Sequence, residues 1–169
     1  MTLSIFGMSK LNAQNLSKVE ALNVLLKWEG SWKYNGVIEA SAWVTNKIEF
    51  QGKSVNNLVL NDTYLEMVDY NNNAINKGKN IIQYSQDSKR FFRWEFKEDG
   101  TTSFWIGEWS KSKNRMTWEF IDTSNTGITG QIIENFKSEE KFKSNALLKD
   151  SKGNILLDIE SLNQRRRKN

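Results

Sequence analysis

Near the start of the chain, apolar residues recur at spacings of three and four, which is the periodicity of an amphipathic helix. The pattern predicts a helix over residues 16–28, with Asn15 or Ser17 as its N-cap. Glu20 follows Ser17 at the spacing of a capping box, and Gly30 is expected to end the helix. The apolar stripe consists of Leu16, Val19, Leu22, Leu25 and Leu26.

Beyond Gly30, the pattern changes to short segments rich in β-branched and aromatic residues, separated by turn residues. Such residues fit a pleated, half-buried surface, so strands are expected to dominate the rest of the chain. The predicted strands cover residues 32–40, 42–51, 58–70, 80–85, 90–97, 101–110, 115–122, 129–137, 141–149 and 155–163.

Turn residues between the predicted strands favour antiparallel hairpins. Asp99 and Gly100 form a two-residue turn signal, and residues 151–154 form another. Residues 71–79 are the longest irregular connection and are predicted to form a flap at a barrel mouth. Both a closed meander barrel and a two-sheet sandwich fit these hairpins. The all-β barrel is favoured because closure removes the free edges that a chain without proline would otherwise expose.

Length and composition are those of one domain with a substantial core. The chain has 169 residues, of which 38% are hydrophobic and 12% aromatic, so it has enough apolar surface to fold without covalent cross-links. The sequence shows no internal repeat and no linker. We expect an N-terminal tail over residues 1–14 and a single barrel domain over residues 15–169.

Cysteine and histidine are both missing from the sequence. This excludes disulfides, thiolate metal ligands, cysteine nucleophiles and any imidazole base or ligand. Catalysis would have to use Asp, Glu, Lys or Tyr, or a hard cation held by oxygen ligands. The lack of histidine and cysteine favours a non-catalytic protein, and we expect neither a cofactor nor a metal site.

The net charge of +4 comes from 24 Lys and Arg against 20 Asp and Glu, with much of the excess in residues 165–168. Lysines are otherwise scattered rather than gathered into a stripe, so no nucleic-acid partner is expected. Residues 1–14 lack the features of a signal peptide, and no segment reaches the ~20 apolar residues of a spanning helix. We expect a cytoplasmic protein without a membrane partner, and we make no prediction of its oligomeric state.

Several short motifs carry a resemblance to known barrels. Gly30, Ser31 and Trp32, just after the predicted helix, resemble the opening of the calycins, the lipocalin and fatty-acid-binding group. From about Leu25 onwards the chain resembles a bacterial family known only as a domain of unknown function, with a calycin-like barrel. The motifs are Thr63 to Glu66, Tyr84 with Asp87 and Lys89, Asp99 with Gly100, Gly107 to Trp109, Met116 to Trp118, Lys149 with Asp150 and Gly153, and Arg165 with Arg166.

The resemblance implies a specific contact and also marks one departure. In lipocalins an arginine near the chain end lies across the first-strand tryptophan, which implies that Arg165 or Arg166 stacks on Trp32. The departure is at residues 60–62, where the family pattern implies a glycine-rich turn and this chain has Leu, Asn and Asp. This leaves the register of the third strand open.

Two matching segments, residues 94–96 and 118–120, each read Trp-Glu-Phe and suggest a pair of catalytic carboxylates as in glycosidases. Strand alternation favours another interpretation, in which the aromatic side chains share the inward face. We therefore expect Phe92, Trp94 and Phe96 to face the core. The charged side chains expected to face solvent are Arg93, Glu95 and Glu119.

Polar residues that fall on apolar stripes are the candidate ligand contacts, because an unpartnered polar group in a core is costly. Glu134 is the clearest case, since alternation places it on the face of Ile132 and Phe136. The alternative interpretation is a buried hydrogen-bond network or a solvated rim. The candidate ligand-binding residues are Asn46, Tyr64, Glu66, Tyr84, Trp94, Glu108, Trp118 and Glu134.

These observations favour one function and leave two alternatives open. The favoured hypothesis is a non-catalytic barrel that binds a small, largely apolar ligand. The first alternative is a carboxylate-dependent isomerase or hydrolase with Glu134 or Glu66 as its base. The second is a protein-interaction module that uses the sheet exterior or the basic tail at residues 165–169.

Overall fold

The computed structural model of the chain describes residues 15–166. The predicted tail at residues 1–14 and the basic residues 167–168 lie outside the described part, so the predicted domain division stays a prediction. Within residues 15–166 the chain forms one helix and ten strands. They are α1 (Lys18–Leu25), β1 (Gly30–Ile38), β2 (Ile48–Val59), β3 (Tyr64–Tyr70), β4 (Asn76–Ser85), β5 (Arg90–Lys97), β6 (Thr102–Ser110), β7 (Arg115–Phe120), β8 (Thr129–Ser138), β9 (Lys141–Lys149) and β10 (Ile155–Arg165).

The strands form a closed antiparallel meander barrel. Each strand pairs with its neighbours in the chain, and β1 closes the barrel by pairing with β10, from Trp32 opposite Arg165 to Ile38 opposite Ile159. The predicted all-β barrel is confirmed, and the sandwich alternative is excluded. No helix within residues 15–166 is long and apolar enough to cross a membrane.

Helix α1 covers one end of the barrel. Its predicted capping box is confirmed: the Ser17 hydroxyl accepts from the Glu20 backbone N–H, and the Glu20 carboxylate accepts from the Ser17 backbone N–H. The helix is shorter than the predicted 16–28, because its hydrogen bonding gives way to a turn after Leu25 and Gly30 already belongs to β1. Ala21, Val24 and Leu25 are buried against the barrel interior.

Arg165 fixes the closing strand to this end of the barrel. Its guanidinium carbon lies 4.7 Å from the centroid of the Trp32 ring, which confirms the stacking implied by the calycin resemblance. The same guanidinium donates to the carbonyls of Lys27, Glu29 and Glu139. Arg165 therefore has a structural role in the fold, so it does not belong to the free basic tail predicted at residues 165–169.

The boundaries of the second and third strands differ from the prediction. Residues 42–47 form a loop, β2 runs from Ile48 to Val59, and residues 60–63 form the turn before β3. Leu60, Asn61 and Asp62 all have positive φ, of 51°, 56° and 59°. Asn and Asp tolerate this left-handed conformation, so a tight turn forms here without glycine.

The five connections from odd-numbered to even-numbered strands meet at the barrel end opposite α1. These loops cover residues 39–47, 71–75, 98–101, 121–128 and 150–154. The predicted flap at 71–79 is therefore shorter than expected, because residues 76–79 belong to β4 and pair with β3 and β5. We call this end of the barrel the open end.

Aromatic side chains fill the half of the barrel next to α1. Trp28, Trp32 and Trp118 are fully buried there, and Trp28 packs edge-on against Phe136 with ring centroids 5.0 Å apart. Gly107 allows this packing, because a Cβ at that position would collide with the Trp118 ring. This half of the barrel is therefore a packed core.

Candidate functional site

A cavity of about 480 Å³ occupies the open half of the barrel. Most of its wall is apolar, and Tyr34, Ser54, Ser144, Ser161 and Asn163 add polar groups. Lys77 and Lys97 lie near its mouth. The apolar wall residues are Ile38, Phe50, Met67, Ile132, Phe142, Ala146 and Ile159.

Two glycines allow aromatic rings to lie flat along one wall of this cavity. A Cβ at Gly52 would lie 2.5 Å from Tyr34 Cζ, and one at Gly36 would lie 2.6 Å from the Phe50 ring. The Tyr34 hydroxyl donates to the Tyr70 carbonyl at 3.4 Å. Burial and the nearby Asp69 carboxylate raise the pKa of Tyr34 to about 12, so its hydroxyl stays protonated.

A cluster of polar side chains from β3, β4, β5 and β8 lines one side of the cavity, which we call its floor. We call Asp69, Asn80, Arg93, Glu95 and Glu134 the floor cluster. Arg93 Nε donates to Asn80 Oδ1 at 2.9 Å, and Asn80 Nδ2 donates to Asp69 Oδ2 at 3.2 Å. Arg93 Nη1 lies 3.7 Å from Glu134 Oε1, which is a buried ion pair. Three carboxyl groups thus surround one guanidinium.

Glu134 joins the floor cluster to the aromatic core, and its side chain points into the barrel as alternation along β8 predicts. It is 4% exposed, and its Oε2 accepts from the Trp118 indole at 2.9 Å. The pairing of β8 with β9 runs without a bulge through Gly130, so the alternation holds. Burial raises the pKa of Glu134, and Arg93 and the Trp118 hydrogen bond offset only part of that rise.

The pKa values of Asp69 and Glu95 are shifted in opposite directions, although both residues line the cavity. Burial raises the pKa of Asp69 to about 6; Glu95 adds to the rise, whereas Arg93 and Asn80 oppose it. Burial also acts to raise the pKa of Glu95, but Arg93, Lys97 and a hydrogen bond from Ser103 together bring it below its ordinary value. Ser103 Oγ donates to Glu95 Oε2 at 2.6 Å and accepts from the Trp105 indole at 2.9 Å.

Of the predicted ligand-binding residues, only Glu134 lines the cavity. It accepts from the indole of Trp118, which is itself buried in the packed half and does not line the cavity. Tyr84 also faces inward, but it lies in the packed half, where its hydroxyl accepts from the Leu16 backbone N–H at 3.1 Å. Asn46 is exposed in the loop between β1 and β2, because β2 begins only at Ile48. Asn46 does not line the cavity.

The other four predicted contacts, Tyr64, Glu66, Trp94 and Glu108, lie on the outer face, so their predicted inward orientation is wrong. In β3 the inward positions are Leu65, Met67 and Asp69, and Glu66 instead pairs outside with Lys79 at 2.8 Å. In β6 the buried inward positions include Trp105 and Trp109, which places Glu108 on the opposite face. Burial among its outer neighbours raises the pKa of Glu108, and Glu119 adds to the rise while Arg90 opposes it.

Strand β5 has the opposite orientation to the prediction. Arg93 and Glu95 face the cavity, whereas Phe92 and Trp94 form an outer aromatic face together with Phe104 of β6. The Trp94 and Phe104 ring centroids are 5.4 Å apart. The strand carries aromatic residues on both faces, so its own pattern does not select the inward one. The pairing of Phe91 with Gly107, which lies beneath the Trp118 ring, fixes the orientation.

Sequence reasoning missed Asp69, Asn80, Arg93 and Glu95 as site residues. Alternation predicts the solvent face for Arg93 and Glu95 and the outer face of β3 for Asp69, whereas all three residues line the cavity. Within residues 15–166 no group of three or more His, Cys, Asp or Glu side chains is arranged to hold a metal ion. The floor cluster is therefore a hydrogen-bonding and charged site built around a guanidinium.

Comparisons with known proteins identify the fold. No protein-family model matches the sequence, and no curated protein sequence matches it. The barrel is similar to Rv2717c from M. tuberculosis, with a TM-score of 0.62 and 11% identity over 87% of this chain and 98% of that one. It is also similar to the S-type phycobiliprotein lyase CPES from Guillardia theta, with a TM-score of 0.51 and 12% identity over 87% and 93% of the two chains. At these identities the likeness concerns the fold alone.

Proposed function

We propose that this protein is a non-catalytic barrel that binds one small, largely apolar ligand in its open half. The observation that carries the proposal is the cavity of about 480 Å³, whose size falls within the ~300–1,000 Å³ typical of ligand sites. An apolar wall with a few convergent polar groups is the usual composition of such sites. The packed aromatic half supplies a rigid frame beneath it.

We also propose that the chain is a calycin-like barrel. The closed antiparallel meander, the helix over one end and the stacking of Arg165 on Trp32 support this assignment. A calycin-like barrel with one filled half and one open half holds its ligand near the open end. This agrees with the position of the cavity.

A titration tests the binding proposal. Tryptophan fluorescence and thermal unfolding are measured with fatty acids, retinoids, porphyrins and n-octanol, and at least one compound is expected to give a saturable, stabilising response. Ile159→Trp places a large side chain in the cavity and is expected to abolish that response. Ile155→Trp is the matched control, because Ile155 lies on the same strand and is 44% exposed.

Two results would overturn the proposal. One is the lack of a saturable response to any compound. The other is equal binding by the wild type and the Ile159→Trp variant, because a ligand held in the cavity must compete with the introduced indole. Loss of binding in Ile155→Trp as well would indicate a site on the outer surface.

A second candidate function is catalysis by two carboxyl groups, Asp69 and Glu95, whose pKa values are shifted in opposite directions. Asp69 has a raised pKa and Glu95 a lowered one within a single cavity, and such pairs supply the acid and the base of many enzymes. A hydrolase or isomerase would then use Asp69, in place of Glu66, which faces outside. A substrate-turnover screen compares the wild type with Asp69→Asn. Any turnover that Asp69→Asn leaves unchanged would remove this candidate.

A further inference from the structure

We propose that the ligand of this cavity carries a nitrogen that donates hydrogen bonds, in most cases a protonated amine, and that Asp69 and Glu95 receive it at the cavity floor. The proposal rests on the proposed binding function and adds the chemical class of the ligand. It distinguishes this barrel from one that selects fatty acids or other apolar carboxylates.

The first argument is the balance of charge at the cavity floor. Asp69, Glu95 and Glu134 are three carboxyl groups, and Arg93 is the guanidinium among them. Lys97 is a second cation that acts on Glu95, whereas Lys77 and Lys79 are paired with Glu98 and Glu66 at 2.6 Å and 2.8 Å. The three carboxyl groups therefore still outnumber the two cations, Arg93 and Lys97, that act on them. A carboxylate ligand pushed to the floor would add a fourth acid to a region of low dielectric, where like charges repel strongly.

The second argument is that Arg93 already has partners. Its Nε donates to Asn80, its Nη1 lies next to Glu134, and its guanidinium carbon is 5.9 Å from the centroid of the Trp118 ring. An anionic head group that drew the Arg93 guanidinium away from Glu134 would leave that carboxyl group buried without its cation, which is costly. An apolar carboxylate is therefore a poor fit for this floor.

The third argument is the acceptor capacity that Asp69 and Glu95 present to the cavity. Asp69 uses Oδ2 to accept from Asn80, and Glu95 uses Oε2 to accept from Ser103. Each carboxylate has two oxygens and about four lone-pair sites, so each retains acceptors for a donor in the cavity. A protonated amine has three N–H donors and a positive charge, and it can bind both groups at once.

The apolar wall determines what the rest of the ligand must be. Ile38, Phe50, Met67, Phe142 and Ile159 line the cavity and offer no charge partner, so the body of the ligand is a hydrocarbon chain or ring. The combination of an apolar wall and an acidic floor matches an amphiphile with its nitrogen at one end.

The test uses three compounds with the same chain: n-octylammonium, n-octanol and n-octanoate. Isothermal titration calorimetry at pH 7.5 is expected to show n-octylammonium binding at least about tenfold more tightly than n-octanoate, which corresponds to about 1.4 kcal/mol. In Asp69→Asn and in Glu95→Gln the ratio is expected to fall towards one, while n-octanol binding stays the same. Glu66→Gln is the matched control, because it removes a carboxylate from the outer face of the same barrel.

The outcomes separate this inference from the proposed function. Equal or tighter binding of n-octanoate overturns the inference and leaves the binding function standing. A preference for n-octylammonium that survives in both floor variants, or that is lost in Glu66→Gln, also overturns it. Failure of all three compounds to bind overturns both the inference and the binding function. Each variant is single and nearly isosteric, and its fold is checked by the cooperativity of unfolding.

Discussion

Replacing Asp69 with asparagine is expected to stabilise the protein at neutral and alkaline pH. Burial raises the pKa of Asp69 from its ordinary 3.8 to about 6, so the ionised form of this carboxyl opposes folding. Asparagine mimics the protonated carboxyl and can still accept from Asn80 Nδ2 through its amide oxygen. At one pKa unit per 1.36 kcal/mol, removing the charge stabilises the folded state by about 3 kcal/mol at pH 8.

The sign of the pH dependence follows from proton uptake. Between pH 3.8 and 6 the folded state holds a proton on Asp69 that the unfolded state has released, so wild-type stability falls as the pH rises through that window. Above pH 6 both states are ionised and the cost is constant. The gain from Asp69→Asn is therefore full at pH 8 and falls below about 1 kcal/mol at pH 4.

Urea unfolding monitored by tryptophan fluorescence measures this effect. Wild type and Asp69→Asn are compared at pH 4 and pH 8, with Asp87→Asn as the control at an exposed turn position. The control is expected to change stability by less than about 0.5 kcal/mol at either pH. A destabilising Asp69→Asn substitution at pH 8, or a gain of the same size at both pH values, would refute the reasoning about Asp69.

The remaining predictions concern closure, the floor cluster and pH-dependent binding. Arg165→Ala removes the contact with Trp32 and three hydrogen bonds to carbonyls, so urea unfolding is expected to show a loss of about 2 kcal/mol; an unchanged midpoint would contradict this. Glu134→Leu leaves the Trp118 indole without its acceptor and is expected to cost about 1–3 kcal/mol, whereas Glu134→Gln costs less because it keeps an acceptor. The same unfolding assay would contradict this if the two variants were equal. Calorimetry at pH 5 is expected to show about tenfold weaker n-octylammonium binding than at pH 7.5, because only about a tenth of Asp69 is then ionised; equal affinities would contradict this.

Much of the fold could be predicted from the sequence because the local signals agree with one another. The boundaries of β5 and β9 match the prediction residue for residue, since turn residues flank each alternating segment. The capping box at Ser17 and the inward position of Glu134 also follow from spacing alone. Arg165 was found through the resemblance to lipocalins.

The site was harder to predict because it depends on which face of a strand points inward. In β5 both Phe91 and Phe92 are apolar, so periodicity does not distinguish the two faces, and the orientation is fixed by pairing with neighbouring strands. The turn at residues 60–62 has no glycine, so its left-handed backbone gives no strong local signal. Without that signal the predicted third strand begins too early, at residue 58, and the prediction places Asp69 on the outer face instead of the inward one.

The measurement that tests the central claim most directly is methyl NMR of the protein during titration with n-octylammonium. Ile38, Ile132 and Ile159 line the cavity, whereas Ile75 and Ile155 are exposed outside it. Binding in the open half predicts saturable shifts of the three cavity methyls with one common dissociation constant, and no saturable shifts of the two exposed ones. Saturable shifts confined to the exposed methyls, or no shifts with any of n-octylammonium, n-octanol and n-octanoate, would contradict the claim that the open half of the barrel is a binding site.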